Sequence, residues 1–197
     1  MRSDPPRADH RVILDLVNPG SSVLDLGCGG GDLLFLLVRE RGVRAQGIEI
    51  DDRAIYECVE KGLSVFHGDV DTGLSEYGDE SFDYVILNQT LEQVRKPDIV
   101  LTEALRVGRQ VIVGFPNFAH FTARLQLFLR GRTPVTPALP YEWHDTPNLH
   151  YLSISDIVVY CRQRDIEIRR AVFLARGRRI TLLPNLRGEI GIFLIAK

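Results

Sequence analysis

The sequence predicts a doubly wound α/β fold built around a mostly parallel β-sheet. Short apolar segments, such as residues 22–26 and 82–87, alternate with segments of helical periodicity along most of the chain. Hydrophobic residues fill these short segments almost continuously, as in strands that helices cover on both faces. A glycine-rich turn at residues 27–31 follows the first strand, where such sheets commonly bind a ligand.

Length and composition fit one globular domain over residues 1–197. A hydrophobic content of 45% and a charged content of 25% are ordinary for this class of protein. Residues 1–6 lack the apolar core of a signal peptide, and no apolar run is long enough to cross a bilayer. We therefore predict a cytoplasmic protein with no membrane partner.

The cysteine and charge patterns exclude several kinds of site. Cys28, Cys58 and Cys161 lack metal-ligand spacing, and their odd number argues against a disulfide framework. We therefore predict no metal centre. The first half of the chain is acidic and the second half basic, but the basic residues are scattered and have no interleaved aromatic side chains. Nucleic acid is therefore not an expected partner.

Hydrophobic periodicity gives the order of the elements. Strands are predicted at residues 22–26, 43–50, 63–67, 82–87, 110–114, 166–174 and 189–196. Helices are predicted at residues 8–17, from the glycine turn to about 40, and at 51–61, 97–107, 117–129 and 153–164.

Capping residues mark the ends of these helices. Residues 18–20 (Asn-Pro-Gly) end the first helix, and Gly42 ends the second. The acidic residues 51–52 suit the positive end of the third helix dipole, and Pro97 occupies the first position of the fourth helix. Residues 153–156 resemble a capping box that opens the last helix.

The alternation of strands and helices breaks at about residues 115–150, which we interpret as an inserted helix and a proline-rich loop. The helix carries an apolar stripe, formed by Phe118, Phe121, Leu125 and Phe128. This stripe either covers the protein's own sheet or binds another protein. The loop at residues 131–150 contains four prolines and no predicted element, and loops of such length usually serve a function.

The glycine turn predicts a nucleotide-like ligand. Glycines allow positive φ angles and a close approach of the ligand, and the helix that follows offers free N–H groups. A dinucleotide site would have a third glycine where this sequence has Asp32, whose charge would repel a pyrophosphate. A nicotinamide-dependent oxidoreductase is therefore disfavoured.

The turn instead resembles the first motif of class I S-adenosylmethionine-dependent methyltransferases, with Asp25 before glycines at alternate positions. This resemblance implies a Rossmann-like, mostly parallel seven-stranded sheet with an antiparallel last strand, and S-adenosylmethionine or S-adenosylhomocysteine as cofactor. It also implies that Glu49 accepts the ribose hydroxyls, and that Asp69 meets the adenine amino group. The residues expected to bind the cofactor are Asp25, Gly27, Cys28, Gly29, Gly31, Glu49, Ile50, Asp69, Val70 and Asn88.

Three of these positions have more specific expectations. Ile50 and Val70 would sandwich the adenine ring, and Asn88 would touch the amino acid end of the cofactor. Cys28 stands at a helix N-terminus, which can lower a thiol pKa. The position varies in this superfamily, so we assign no chemistry to it.

No catalytic residue is assigned from the sequence. Gln93 occupies the position where many small-molecule methyltransferases have a histidine, and glutamine cannot act as a general base at neutral pH. Methyl transfer to a good nucleophile needs little beyond alignment, so this does not exclude catalysis. About twenty residues precede the first strand, so we expect the insertion rather than an N-terminal lid to close the pocket.

Several segments carry a narrower resemblance. They are residues 82–87 (Phe-Asp-Tyr-Val-Ile-Leu), 89–91 (Gln-Thr-Leu), 105–108 (Leu-Arg-Val-Gly), 115–118 (Phe-Pro-Asn-Phe), 131–136 (Gly-Arg-Thr-Pro-Val-Thr) and 139–148 (Leu-Pro-Tyr-Glu-Trp-His-Asp-Thr-Pro-Asn). Together they resemble the methionine biosynthesis protein MetW family, from about residue 8 to the end. The insertion is the most distinctive part, since generic methyltransferases lack it.

The resemblance implies a partner as well as a cofactor. MetW-like proteins are associated with a homoserine O-acyltransferase of the MetX type, whose activity in some bacteria depends on them. The first hypothesis is therefore a cofactor-binding partner subunit of that enzyme in methionine synthesis. The second is an active methyltransferase on a small-molecule or protein acceptor. A homodimer is also considered.

Overall fold

An eight-stranded mixed β-sheet forms the centre of the molecule, with strand order β3-β2-β1-β4-β5-β8-β6-β7. The computed structural model describes residues 7–197, so residues 1–6, examined above for a signal peptide, lie outside the described residues. The strands are Ser22–Leu26 (β1), Arg44–Glu49 (β2), Ser64–His67 (β3), Phe82–Asn88 (β4), Gly108–Pro116 (β5), Glu167–Ala175 (β6), Arg178–Ile180 (β7) and Ile190–Ala196 (β8).

Helices cover both faces of this sheet, which confirms the doubly wound α/β prediction. They are Ala8–Leu16 (α1), Asp32–Arg41 (α2), Asp52–Glu60 (α3), Pro97–Val107 (α4), Phe121–Arg130 (α5), Ile154–Gln163 (α6) and the short Pro184–Arg187 (α7), and a 3₁₀ turn spans Val70–Thr72. None of the helices between residues 7 and 197 combines the length and apolarity needed to cross a membrane.

The buried side chains form one cluster on each face of the sheet. In β4, Val85 and Leu87 belong to the cluster under α4 and α6, whereas Tyr84 and Ile86 belong to the cluster under α1 and α2. This alternation follows from the pleat of the strand, which directs successive side chains to opposite faces. It explains why the strand is apolar at almost every position.

The first five strands are parallel and create the crevice in which a ligand can bind. β1 pairs with β2 on one side and with β4 on the other. The chain therefore leaves β1 in one direction across the sheet and returns to build the other half from β4. Open α/β sheets bind ligands beside the carboxyl ends of the strands at such a switch point.

The antiparallel part of the sheet confirms one prediction and corrects another. β8 lies between β5 and β6 and runs antiparallel to both, as expected for the last strand. The sheet has eight strands rather than seven, because β6 turns back into the unpredicted β7. Arg176 and Gly177 form this two-residue turn with φ angles of 49° and 71°, the left-handed pair that tight hairpins require.

The capping predictions hold, but the predicted start of the inserted helix α5 is wrong. Ser153 and Asp156 form the expected capping box, and Pro97 opens α4. The inserted helix was expected from residue 117 but begins at Phe121. The amide oxygen of Asn117 accepts hydrogen bonds from the backbone of both Ala119 and Ile154, which holds this stretch in a non-helical turn.

The buried Asn117 also fixes the root of the insertion to the rest of the fold. Its side chain is 1% exposed, and its Nδ2 donates to the carbonyl oxygens of Asn185 and Gly188 at 3.1 and 2.8 Å. Because donors and acceptors of the amide are all engaged, the insertion, α6 and the segment before β8 are held together by one side chain.

We expect Asn117→Ala to lower the free energy of unfolding by about 3 kcal/mol, because it leaves several buried backbone groups without partners. Asn18→Ala is the matched control, since Asn18 is exposed and its side chain makes no hydrogen bond among the described residues. Urea denaturation of both variants measures the difference. Equal stabilities would contradict the anchoring role of Asn117.

Candidate cofactor cleft and a neighbouring cavity

A cavity of about 540 Å³ lies at the carboxyl ends of the parallel strands, where the topology predicts it. This volume is in the usual range for sites that bind small molecules. The lining residues are Gly27, Gly29, Ile48, Glu49, Ile50, Gly68, Asp69, Val70, Asp71, Gln89, Thr90, Gln93, Val94, Arg95, Pro147 and Leu149. We call it the cofactor cleft.

The glycine turn lines this cleft with backbone atoms that no side chain covers. Gly29 has a φ of 54°, and a Cβ built on it would meet no atom within 4 Å, so the space beside it is open to a ligand. Gly27 has a φ of 70°, and a Cβ there would lie 2.7 Å from the Thr90 side chain. The Thr90 hydroxyl donates to the carbonyl oxygen of Leu26 at 2.8 Å. The end of β1 is therefore joined to the loop after β4.

Glu49 lies at the end of β2 and faces the glycine turn. Its carboxylate accepts hydrogen bonds from the backbone N–H of Gly29 at 2.7 Å, Ile50 at 2.8 Å and Asp51 at 3.0 Å. These bonds hold the carboxylate beside the cleft. A carboxylate has about four lone-pair sites, so acceptor capacity remains for a ligand hydroxyl.

The remaining predicted adenine contacts also line the cleft. Asp69 caps the 3₁₀ turn through a bond of 2.9 Å from the N–H of Asp71. Ile50 is 59% exposed, an unusual exposure for an isoleucine at a strand end. Val70 is half-buried against the core cluster. An apolar surface next to an acceptor is suitable for an aromatic base with an amino group.

The structure brings six of the ten predicted residues to the cleft, and Asp25, Cys28, Gly31 and Asn88 lie outside its lining. Burial, followed by the neighbouring Glu49 carboxylate, raises the pKa of Asp25 to about 8. A Cβ on Gly31 would meet the side chains of Leu63 and Cys58, so this glycine allows the start of α2 to pack closely on α3 and the loop after it.

Cys28 and Asn88 face other parts of the protein. Burial, followed by the nearby Asp25, raises the pKa of the Cys28 thiol, which is opposite in direction to the lowering that a helix N-terminus can cause. The Asn88 Nδ2 donates to Asp9 at 3.0 Å, and its buried Oδ1 lies against Gly114, where a Cβ would collide with it.

Several cleft residues were not predicted as cofactor contacts. Gln89 has a φ of 61°, a strained angle for a residue with a side chain. The Gln93 Nε2 donates to the Gln89 carbonyl oxygen at 2.8 Å. Pro147 and Leu149 belong to the insertion and line the cleft. The insertion therefore lies where a segment that closes the pocket was expected.

A second cavity of about 410 Å³ adjoins the first and shares Gln89 and Gln93 with it. Its lining residues are Arg7, Ala8, Asp9, Gln89, Glu92, Gln93, Pro116, Pro137, Ala138, Pro140, Tyr141, Asn148, Leu174, Gly177, Glu189 and Ile190. The start of α1 thus contributes to a pocket, although no N-terminal cover was expected. No local signal identifies these residues, because they come from six separate segments of the chain.

The polar and aromatic side chains of the insertion have different roles. Tyr141 lines the second cavity, whereas His120 is buried and caps α5 through Thr122. Trp143 is exposed.

Within residues 7–197 no group of three or more His, Cys, Asp or Glu side chains is placed to hold a metal ion.

Glu92 is the most unusual side chain of the second cavity. It is 2% exposed, and its Oε2 has no hydrogen-bond partner among the described residues. Burial raises its pKa to about 7. Its backbone carbonyl oxygen accepts from the N–H groups of Leu149 and His150 at 2.8 and 3.0 Å, which ties the loop of the insertion to this point.

We expect Glu92→Gln to stabilise the protein above pH 7 and to have little effect near pH 4.5. The folded-state pKa of Glu92 is raised, so the folded form binds more protons than the unfolded form between the two pKa values, and wild-type stability falls across that window as pH rises. A shift of this size corresponds to about 3 kcal/mol at full ionisation.

Urea denaturation at pH 4.5 and pH 8 measures this effect. Glu60→Gln, which removes an exposed carboxylate at the end of α3, should show no comparable gain. A stability difference for Glu92→Gln that does not change with pH would contradict the assigned environment.

The chain resembles known proteins in its sequence and in its fold. The family model described as methionine biosynthesis protein MetW matches residues 7–195. The bifunctional methionine biosynthesis protein MetXA/MetW of Rhodopirellula baltica is 38% identical over 198 residues, which cover 93% of this chain and 32% of that relative. The chain therefore spans about a third of that relative's length.

More distant relatives carry methyltransferase names. The ubiquinone biosynthesis O-methyltransferase of Hahella chejuensis is 29% identical over 166 residues, covering 81% of this chain and 67% of that protein. A Thermotoga maritima structure described as a methyltransferase dependent on S-adenosylmethionine, a possible histamine N-methyltransferase, has a TM-score of 0.70 at 19% identity. It covers 96% of this chain and 88% of its own.

The structural likeness establishes the Rossmann-like fold of the S-adenosylmethionine-dependent methyltransferases. The family match extends over almost every described residue, insertion included. The chain belongs to the MetW family of methionine biosynthesis proteins.

Proposed function

We propose that this protein binds S-adenosylmethionine or S-adenosylhomocysteine in the cofactor cleft and serves as a partner subunit that supports or regulates a MetX-type homoserine O-acyltransferase. The observation that carries the proposal is that the insertion contributes both to the cofactor cleft and to the exposed surface. Its loop lines the cofactor cleft, while its helix leaves a broad apolar face exposed. Occupancy of the cleft and contact with a partner can therefore influence each other.

The cleft offers apolar contacts and an acceptor to the adenine, an acceptor to the ribose, and open space to the amino acid end of the cofactor. Ile50 and Val70 would contact the adenine ring, Asp69 would accept from its amino group, and Glu49 would accept from the ribose hydroxyls. The open backbone at Gly29 would face the amino acid end. When bound, S-adenosylmethionine supplies an activated methyl group, and the protein residues hold and orient it.

The exposed face lies on α5. Ala123 is the only α5 side chain that is buried. The exposed large side chains of α5 include Phe121, Leu125, Phe128 and Leu129, and we call them the insertion face. Of the apolar stripe expected from the sequence, Phe121, Leu125 and Phe128 are exposed rather than packed on the protein's own sheet.

Such a face supports a protein partner. Aromatic residues are enriched in the cores of interfaces, and contiguous exposed apolar patches mark binding surfaces. The Rhodopirellula baltica relative combines the MetXA and MetW names in one polypeptide. That combination supports an acyltransferase of the MetX type as the partner of this chain.

A second candidate is an active methyltransferase. The two adjoining cavities share Gln89 and Gln93, so an acceptor in the second cavity would lie beside a cofactor in the first. Turnover of S-adenosylmethionine to S-adenosylhomocysteine in the presence of an acceptor would favour this alternative over a purely regulatory subunit.

Gly29→Val should weaken binding of S-adenosylhomocysteine at least tenfold, because the new side chain occupies the open space at the turn. Gly20→Val is the matched control. Gly20 also has a positive φ, 75°, and an open surrounding, but it lies outside the cleft. Titration calorimetry compares the two, and equal affinities would contradict the assignment of the cleft.

Phe128→Asp should weaken binding to the cognate acyltransferase tenfold or more, because Phe128 is the most exposed aromatic side chain of the insertion face, at 85%. Tyr56→Asp on α3 is the control, since this side chain is also exposed, at 70%, but lies outside that face. Co-purification and acyl-transfer rates, with and without S-adenosylmethionine, provide the readouts.

The partner proposal fails if wild-type protein neither co-purifies with the acyltransferase nor changes its rate under any cofactor condition. Cofactor binding is measured separately on the isolated protein. A variant that loses cofactor binding can therefore be distinguished from one that loses partner binding.

A further inference from the structure

We propose that a surface groove beside the insertion is a docking site for an apolar segment of the partner protein, and that this segment also carries a carboxylate. The inference rests on the partner role proposed above and adds a contact on another part of the fold. The groove has a volume of about 480 Å³ and is formed by α6, α7 with the residue before it, β6 and one residue of α5. We call it the α6–α7 groove.

The walls of the groove are apolar and partly exposed. They include Val158 and Val159 of α6, Phe173 of β6, and Leu183 and Leu186 at α7. Val159, Leu183 and Leu186 are 48%, 57% and 37% exposed. Single exposed apolar residues are ordinary on a protein surface, but several that line one groove are typical of a binding surface.

Hydrogen bonds hold the α7 wall of the groove in place. Leu183 has a left-handed backbone with φ 49° and ψ 55°, which is rare for a leucine and commonly marks functional sites. Its carbonyl oxygen accepts from the N–H groups of Leu186 and Arg187 at 3.0 and 2.9 Å. The Asn185 Oδ1 accepts from the N–H of Ser155 at 3.3 Å, which joins this turn to α6. A wall that is already ordered lowers the entropic cost of docking.

The charge around the groove indicates the chemistry of its occupant. Arg124 is the only charged side chain among the described lining residues. Arg162 lies one helical turn after Val158 on the same side of α6, and Arg187 ends α7. None of these arginines forms a salt bridge with another described residue. The one acidic residue of α6, Asp156, is engaged in the capping box. A carboxylate next to the apolar part of the occupant would therefore find a charge partner.

The groove is continuous with the insertion face. Arg124 lies three residues after Phe121 and four before Phe128 on α5, so the three side chains share one side of the helix. A protein that covers the insertion face can therefore extend a segment into the groove. A second copy of this chain suits the groove less well, because a twofold dimer through this surface would bring the arginines of both copies together.

The first test measures the binding of the full chain to the cognate acyltransferase by titration calorimetry. Leu183→Asp should weaken binding about tenfold, because it replaces an apolar wall by a charge that repels the carboxylate. Aspartate tolerates the left-handed backbone at this position. Val59→Asp on α3 is the matched control, since Val59 is 59% exposed and lies outside the groove. Thermal unfolding confirms that both variants are folded.

The second test isolates the charge. Arg124→Gln should weaken binding about fivefold at about 0.05 M salt and much less at about 0.5 M, because salt screens the ion pair. Arg53→Gln is the matched control. Arg53 is an exposed arginine in the first turn of α3, and this variant should bind as tightly as the wild type at both salt concentrations.

The outcomes separate this proposal from the partner role itself. Wild-type affinity in either Leu183→Asp or Arg124→Gln overturns the groove proposal, and the partner role stands as long as Phe128→Asp still weakens binding. A wild-type chain that does not bind the acyltransferase overturns both. Sedimentation velocity tests the remaining occupant: a wild-type dimer that Leu183→Asp dissociates, with acyltransferase binding unchanged, would assign the groove to self-association and overturn the proposal.

Discussion

The hydrogen bond between the Glu49 carboxylate and the N–H of Gly29 is the contact on which the candidate site depends. At 2.7 Å it joins the end of β2 to the turn after β1. Gly29 can take its left-handed conformation and leave open space beside it only because it has no side chain. The turn, held by a charged acceptor, gives the cleft a fixed wall before any ligand arrives, and preorganisation of this kind lowers the entropic cost of binding.

The cleft and the second cavity share a boundary but differ in character. One presents bare backbone and carboxylates at strand ends, and the other presents prolines, aliphatic side chains and the isolated Glu92. The loop of the insertion contributes to both and is tied to the Glu92 carbonyl oxygen by two backbone bonds. A ligand that binds in either cavity can therefore contact the loop. The loop follows α5, which carries the insertion face, in the chain.

The sequence predicts the elements that depend on local patterns. Continuous apolar runs identify the buried strands, and Pro97 and Ser153 mark the helix starts, because these signals need only neighbouring residues. β7 was missed, since Arg178–Ile180 is short and polar and owes its pairing to the turn at Arg176 and Gly177. The start of α5 was misplaced because the partners of Asn117 lie up to 71 positions away.

In the candidate site, too, the residues that local patterns identify were predicted, and the features that depend on tertiary packing were not. Gly27, Gly29, Glu49 and Asp69 lie at the ends of their strands or within three residues after them, so strand assignment was enough to bring them to one edge of the sheet. The environment of Asp25 and Cys28 depends on how deeply the turn is packed, and no local pattern reports this. The second cavity joins residues from both ends of the described chain, so only the tertiary structure could reveal it.

The position of β8 sets the order in which the molecule can be assembled. This strand pairs with β5 on one side and β6 on the other, so the outer hairpin of β6 and β7 cannot join the sheet until residues 190–196 are available. Pairings between such distant segments form slowly, because loop closure must precede the contacts that stabilise them. The hydrogen bonds from Asn117 to the carbonyl oxygens of Asn185 and Gly188 also form late, because these residues lie just before β8. The part of the cofactor cleft that β1 to β4 supply can form early in synthesis, and Pro147 and Leu149 complete it later. The second cavity, which needs Glu189 and Ile190, is completed last.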